Sequence, residues 1–126
     1  AILTDKLRSD DRRVKANAVE ALEAIGGKRV YEFLNLLVDE QDNRVKANIL
    51  IALGKYGDLK VFELLSRMIK DPENTMRASA AYALGRLGMA QGVEPLVGAL
   101  SDKDPMARRQ VVASLTALKA DLDIEV

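Results

Sequence analysis

The sequence contains no cysteine, no histidine and no tryptophan, and only three of its 126 residues are proline. Thiolate and imidazole groups are the usual ligands of zinc and the usual nucleophiles and bases of protease-like constellations. Their absence excludes disulfides, Cys-His and Ser-His-Asp catalytic sites, and almost every transition-metal site. We therefore expect a protein that is not an enzyme and that holds no cofactor and no metal.

An excess of positive charge and a long apolar run are also missing. The 19 Lys and Arg residues balance 19 Asp and Glu residues, which argues against a nucleic-acid partner, because such binding relies on many phosphate-neutralising cations. Apolar runs such as Ile49 to Leu53 are far shorter than the roughly 20 residues of a membrane span. Residues 1–7 do not resemble a signal peptide. We expect no membrane association and, by default, a cytoplasmic location.

A repeat of thirty-one residues runs through the whole sequence without insertion or deletion. Repeats of this length are typical of solenoids, in which each unit buries its apolar face against its neighbours. The repeated columns hold leucine, glycine and glutamate: Leu22, Leu53, Leu84 and Leu115; Leu3, Leu34, Leu65 and Leu96; Gly26, Gly57 and Gly88; Glu32, Glu63 and Glu94.

Each repeat is predicted to form two helices. Val45, Ile49 and Leu53 recur at helical spacing, with Asp42 as the expected N-cap and Gly57 as the expected stop. A second, wider apolar stripe follows in the same repeat. When the helices of this repeat are transferred to the others by the thirty-one-residue period, helices are predicted near residues 2–9, 12–25, 29–39, 43–56, 60–70, 74–87, 90–101 and 105–119. The predicted fold class is all-α, a right-handed or gently curved α-solenoid of about seven to eight helices in stacked antiparallel pairs.

The pattern Asp-x-x-Val-Lys/Arg-Ala-x-Ala-x-x-Ala-Leu-x-x-x-Gly, as in residues 42–57, resembles the short HEAT-like repeats of phycobilisome lyase subunits. Residues 76–100 match this pattern best, and the resemblance covers essentially the whole chain. It implies that the first helices form a convex outer surface and that the second helices line a concave binding surface.

The repeat boundaries predict a single domain over residues 1–126. It comprises the second helix of a truncated repeat at 1–9, repeats at 10–40, 41–71 and 72–102, and a partial or capping repeat at 103–126. Because Ile2, Leu3 and Leu7 look like a second helix without its first, we expect upstream repeats in a longer protein and an uncapped end open to self-association. Arg109 stands in an otherwise alanine column, so it is either a terminal cap or an array position whose charged end reaches water.

Glu32, Glu63 and Glu94 fall early in the predicted second helices, so stacking would form a ladder of carboxylates roughly 8 to 10 Å apart. A basic partner could bind such a ladder. The alternative, which we favour, is that each glutamate complements the dipole and free N–H groups of its own helix. The spacing is too wide for the three carboxylates to share one cation.

Two further columns carry opposite charges four residues apart. Such pairs attract within a helix, and in the resembling family they form a charged rail between repeats, so we favour a structural role. The alternative is a nucleic-acid groove, as in HEAT-like alkylpurine DNA glycosylases, against which the neutral charge and the lack of tryptophan argue. The columns are Lys15, Lys46, Arg77 and Arg108, and Asp11, Asp42, Glu73 and Asp104.

Large side chains in the second helices divide into two groups. Tyr31 and Phe62 have the helical spacing of core residues with the leucine columns. Leu36 instead falls on the predicted concave face and is the best candidate for an exposed apolar anchor. Its column continues with Arg67 and Gly98, a variation typical of a surface adapted to one partner and equally of drift.

These patterns favour an interaction scaffold that binds a partner protein or peptide on its concave second-helix face. The candidate binding residues are Glu32, Leu36, Glu63, Arg67 and Glu94. The alternatives are a non-catalytic subunit of a bilin lyase-like enzyme, which would present a tetrapyrrole or its acceptor protein, and a nucleic-acid backbone binder.

Overall fold

The computed structural model describes residues 5–122, so parts of the predicted helix at 2–9 and of the C-terminal tail lie outside the described residues. From Arg12 to Leu122 the described chain forms seven α-helices and one short 3-10 helix, and it contains no β-strand. The all-α class is thereby confirmed. The helices are α1 (Arg12–Ile25), α2 (Lys28–Asn35), α3 (Asn43–Lys55), α4 (Lys60–Met68), α5 (Asn74–Leu87), α6 (Val93–Gly98) and α7 (Pro105–Leu122), with the 3-10 helix at Ala90–Gly92 before α6.

The first helix of each repeat, α1, α3 and α5, lies at the predicted residues to within one position, whereas the second helices, α2, α4 and α6, are shorter than predicted. Each second helix ends in turns bonded over three residues instead of four, as where the N–H of Leu37 donates to the carbonyl of Leu34. Helix α6 also begins late, since a 3-10 turn precedes it. Pro95, which lacks an N–H, is tolerated in its first turn because that N–H would have no partner within the helix.

Two of the first helices, α1 and α3, begin at side-chain caps, whereas Glu73 at the start of α5 makes no such hydrogen bond. Asp42 accepts hydrogen bonds from the N–H groups of Arg44 and Val45, which confirms the predicted N-cap of α3. Asp11 caps α1 in the same way, by accepting from Arg13. Gly57, the predicted stop of α3, follows the last turn of that helix. Its φ is +80°, a conformation that L side chains rarely adopt.

The chain divides into an N-terminal unit, Ala1–Asp58, and a C-terminal unit, Leu59–Val126. The boundary falls between the two helices of the predicted 41–71 repeat. In the N-terminal unit α1 packs against α3, and α2 packs against both. Leu34 of α2 and Leu53 of α3 are fully buried there. Each of these residues represents one of the two leucine columns, so its burial explains why an apolar residue recurs there.

In the C-terminal unit α5 packs along α7, with α4 against α5 and α6 against α7. The contact between α5 and α7 is close because Gly85 has no side chain and faces Ser114, whose hydroxyl donates to the carbonyl of Ala81 at 2.7 Å. Leu65 of α4 and Leu96 of α6 are fully buried. This packing leaves the outer sides of α4 and α6 open to solvent.

Candidate functional groove and ion pairs

A groove of about 690 Å³ lies in the C-terminal unit. Its volume is within the usual range for ligand pockets in proteins. Helices α4 and α6 and the residues directly after them form its walls, so the second helices of two successive repeats build one concave feature. The lining is mostly carbon, with charged groups at Lys70, Glu94 and Asp102; the other lining residues are Phe62, Ser66, Ile69, Pro95, Gly98, Ala99 and Ser101.

Phe62 was predicted to lie in the core but is half-buried and lines this groove. Val61 and Leu65 take the buried positions of α4 instead. The helical spacing alone did not separate these positions, because α4 is apolar on two sides, one packed on α5 and one facing the groove. A phenyl ring on a groove wall is available to a bound apolar group.

The candidate residues of α4 and α6 differ in their pairing. Glu63 and Arg67, both exposed on α4, form an ion pair across one helical turn. Glu94 occupies the position of Glu63 in α6, but the position of Arg67 is taken by Gly98. Within residues 5–122 Glu94 has no ion pair or side-chain hydrogen bond. Of Glu63 and Glu94, the one that lines the groove is therefore the one that lacks a cation on its own helix.

The remaining candidates, Glu32 and Leu36, lie on α2 and directly after it in the N-terminal unit. Both are exposed, and Leu36 has 81% of its surface accessible to solvent. Burying a leucine side chain from this state typically contributes about 1.5 to 3 kcal/mol, so Leu36 is an energetically useful contact for a partner. That it serves as an anchor stays a prediction.

Tyr31 of α2 was also predicted to lie in the core, yet it too is half-buried. Its ring packs against Tyr56 with centroids 5.2 Å apart, and its hydroxyl donates to Asp58 at 2.9 Å. The hydrogen bond to this carboxylate raises the pKa of Tyr31 above its ordinary value. A polar end that reaches the surface explains why the ring is not fully buried.

The cations of the basic column do not pair with the acids four residues before them. Lys15 bonds Glu40 at 3.1 Å, and Arg77 bonds Asp102 at 2.8 Å, in each case a partner twenty-five residues later in the same predicted repeat. The predicted pairing within a helix is wrong for these two cations. At the start of α1 the physical reason is visible, because Asp11 is turned toward the helix N–H groups as a cap.

The Arg77 pair is the more buried of the two, with 10% and 7% of the two side chains accessible. Hydrogen bonds from the guanidinium, with a backbone N–H of Asp104, hold the pKa of Asp102 below its ordinary value against the opposing effect of burial. The same pair raises the pKa of Arg77. Because Lys15 and Arg77 are each paired with a carboxylate of the protein, neither charge is free to bind a phosphate group.

Sequence reasoning missed Lys70, Pro95 and the wall formed by Phe62 as parts of one groove. The sequence did contain one indication of the groove. Leu36, Arg67 and Gly98 share a column, and the missing side chain at Gly98 leaves space there. Among residues 5–122 no group of three or more His, Cys, Asp or Glu side chains could hold a metal ion. No helix in the described range is long and apolar enough to cross a membrane.

Comparison with protein families identifies the repeat. The family model described as HEAT repeats matches residues 1–84 and again residues 63–126, which together span the whole chain. A comparison with curated proteins finds no match. HEAT repeats have the α-solenoid fold predicted above, and they generally serve as protein-interaction scaffolds and are typically non-catalytic. The chain, with its repeated helix pairs and its two family matches, belongs to the HEAT-repeat family.

Proposed function

We propose that this chain is a non-enzymatic scaffold that binds a partner protein or peptide through the exposed side of its second helices. The single observation that carries the proposal is the groove between α4 and α6, which combines an apolar lining with charged groups at its edge. Sites that bind side chains of a partner have this composition. The pocket on the first helix α7, lined by Met106, Arg109 and Gln110, is smaller, at about 310 Å³.

The N-terminal unit carries its own part of the proposed surface on α2. The exposed Leu36 supplies apolar area there, and the neighbouring Glu32 supplies charge. A few apolar anchors surrounded by polar groups account for most of the binding energy of typical interfaces. The pairing of Glu63 with Arg67 leaves both charges on the surface of α4, where a partner can compete for either.

Site-specific photo-crosslinking in a lysate of the source organism tests the proposal. A photoreactive amino acid replaces Leu36 in one variant and Val97 of α6 in another. Both side chains are exposed, and Val97 does not line the groove, so a reactive group there leaves the groove open. A third variant carries the reactive group at Tyr82, an exposed position on the first helix α5, as the matched control.

We expect a protein adduct at Leu36 or Val97 that is absent at Tyr82 and that disappears when Glu32, Glu63 and Glu94 are changed to lysine and Leu36 to serine. For this last comparison the reactive group is placed at Val97. Adducts confined to Tyr82 would show that the partner binds the first helices and would overturn the proposal. Adducts with nucleic acid in place of protein would overturn it as well.

A further inference from the structure

We propose that the groove of the C-terminal unit binds an arginine side chain of its partner, held by Glu94 and lying over Gly98. This inference rests on the proposed function and names the chemistry that this site recognises. The occupant is a peptide segment in which one arginine is flanked by apolar residues.

In α4 the carboxylate of Glu63 is bound by the guanidinium of Arg67, one turn later on the same helix. In α6 the corresponding positions hold Glu94 and Gly98, so the same carboxylate has no arginine. Both Glu94 and Gly98 line the groove. The same repeat position therefore holds the chain's own arginine in α4 and has no side chain in α6.

The space left by the missing side chain is open. A Cβ atom added at Gly98 would meet nothing within 4 Å, so no neighbouring side chain has moved in to fill it. Pro95 and Phe62 line the same groove and present carbon surface. The long aliphatic stem of an arginine can be buried along such surface while its charged end remains near a carboxylate.

The charges of the groove favour one guanidinium near Glu94. Asp102 also lines the groove, but its carboxylate is already bound by Arg77 and by the N–H of Asp104. Lys70 lies on the α4 side and repels a second cation there. A single arginine with apolar neighbours fits this distribution better than a basic run does. Arginine is preferred to lysine because its planar fork can bond both oxygens of a carboxylate.

The test is a titration of the full chain, labelled with nitrogen-15, with three blocked tripeptides followed by NMR. The probes are acetyl-leucyl-arginyl-leucine amide and the same peptide with citrulline or lysine at the centre. Citrulline keeps the shape of arginine and lacks its charge. The backbone amide of Gly98 reports occupancy of the groove directly. We expect the arginine peptide to shift this resonance and to bind about tenfold more tightly than the citrulline peptide.

Three variants make the test specific. Glu94→Gln should remove the tenfold preference for arginine over citrulline, whereas Glu20→Gln, at an exposed position of the first helix α1, should leave it unchanged. Gly98→Arg should abolish binding of every peptide, because it restores the pairing seen in α4 and fills the open space. Gly98→Ala is its control, since a methyl group leaves most of the groove open; circular dichroism checks that each variant is folded.

The outcomes separate this inference from the proposed function. Equal binding of the arginine and citrulline peptides, or a preference that survives Glu94→Gln, would overturn the arginine inference and leave a groove that binds apolar peptides. If no peptide shifts the Gly98 resonance, the arginine inference is also overturned. The proposed function is then decided independently by the adducts at Leu36.

Discussion

Arg77 holds the carboxylate of Asp102 at two points, with Nε donating to one oxygen at 2.8 Å and Nη2 donating to the other at 3.1 Å. Its remaining nitrogen, Nη1, donates to the backbone carbonyls of Asp71 and Pro72. One guanidinium therefore connects the end of the α4 segment, the first turn of α5 and the loop after α6. These are also the segments that hold Asp102 at the groove, so the pair fixes the shape of the candidate site.

Arg77→Lys is predicted to destabilise the protein. An ammonium group is a single point charge and cannot bond both oxygens of Asp102 and two carbonyls at once. With both partners nearly buried, the lost hydrogen bonds are not replaced by water. We expect the melting temperature, measured by circular dichroism, to fall by about 5 °C or more. The matched control is Arg109→Lys, at an exposed position of the same unit, which should change it by less than about 2 °C. Equal shifts for the two variants would contradict the structural role of Arg77.

Acid is predicted to weaken the C-terminal unit through its bound carboxylates. The pKa of Asp102 is lowered by its hydrogen bonds from Arg77. The pKa of Asp104 is lowered chiefly by the hydrogen bond that its carboxylate accepts from the N–H of Ala107 at the start of α7. A carboxyl whose pKa is lower in the folded state stabilises the fold fully above its unfolded pKa, and this contribution is lost as the pH falls through the folded value. We therefore expect the denaturant midpoint to be flat from pH 7 to about pH 5 and to fall steadily below about pH 4.

Asp104→Asn isolates one of these carboxylates, because asparagine caps a helix about as well as aspartate but does not titrate. At pH 7 we expect its melting temperature to stay within about 2 °C of the native value. Below pH 4 its midpoint should fall less steeply than that of the native chain. An identical acid slope in the two proteins would show that the cap at Asp104 does not contribute to the pH dependence.

The fold was more predictable than the pairing of side chains because it depends on local and periodic signals. Asp42 caps its helix through residues two and three positions away, so its role can be deduced from a short segment. The partner of Arg77 is twenty-five residues distant and becomes a neighbour only when two helices pack. Prediction of the groove would also have required knowledge of how the helices pack. Spacing placed Phe62 on an apolar stripe but could not show that this side of α4 faces open space.

Leu53→Ala is predicted to cost about 2 to 5 kcal/mol of the free energy of unfolding, because Leu53 is fully buried in the N-terminal unit and its truncation leaves a cavity. Leu36→Ala removes the same atoms from an exposed position of the same unit, and should change stability by less than about 0.5 kcal/mol. Urea unfolding of both variants measures the difference. Similar costs would mean that Leu36 is buried in the folded protein and is not available to a partner.

Gly85→Ala is predicted to reduce stability and Gly98→Ala is not, although both make the same chemical change. A Cβ atom at Gly85 would lie 2.6 Å from the hydroxyl oxygen of Ser114 and 3.0 Å from its Cα atom, so α5 and α7 must separate. We expect a loss of about 1 to 3 kcal/mol, typical of an overpacked helix contact. At Gly98 the added methyl group meets nothing within 4 Å.

Gly98→Ala should therefore leave stability unchanged or increase it by up to about 1 kcal/mol, because alanine loses less backbone entropy on folding. Urea unfolding monitored by circular dichroism compares the two variants with the native chain. A loss at Gly98 as large as that at Gly85 would mean that a side chain occupies the space above Gly98. The groove would then be closed where an arginine is expected to bind. A gain at Gly98 together with a loss at Gly85 would show that this position is open in solution, as the arginine site requires.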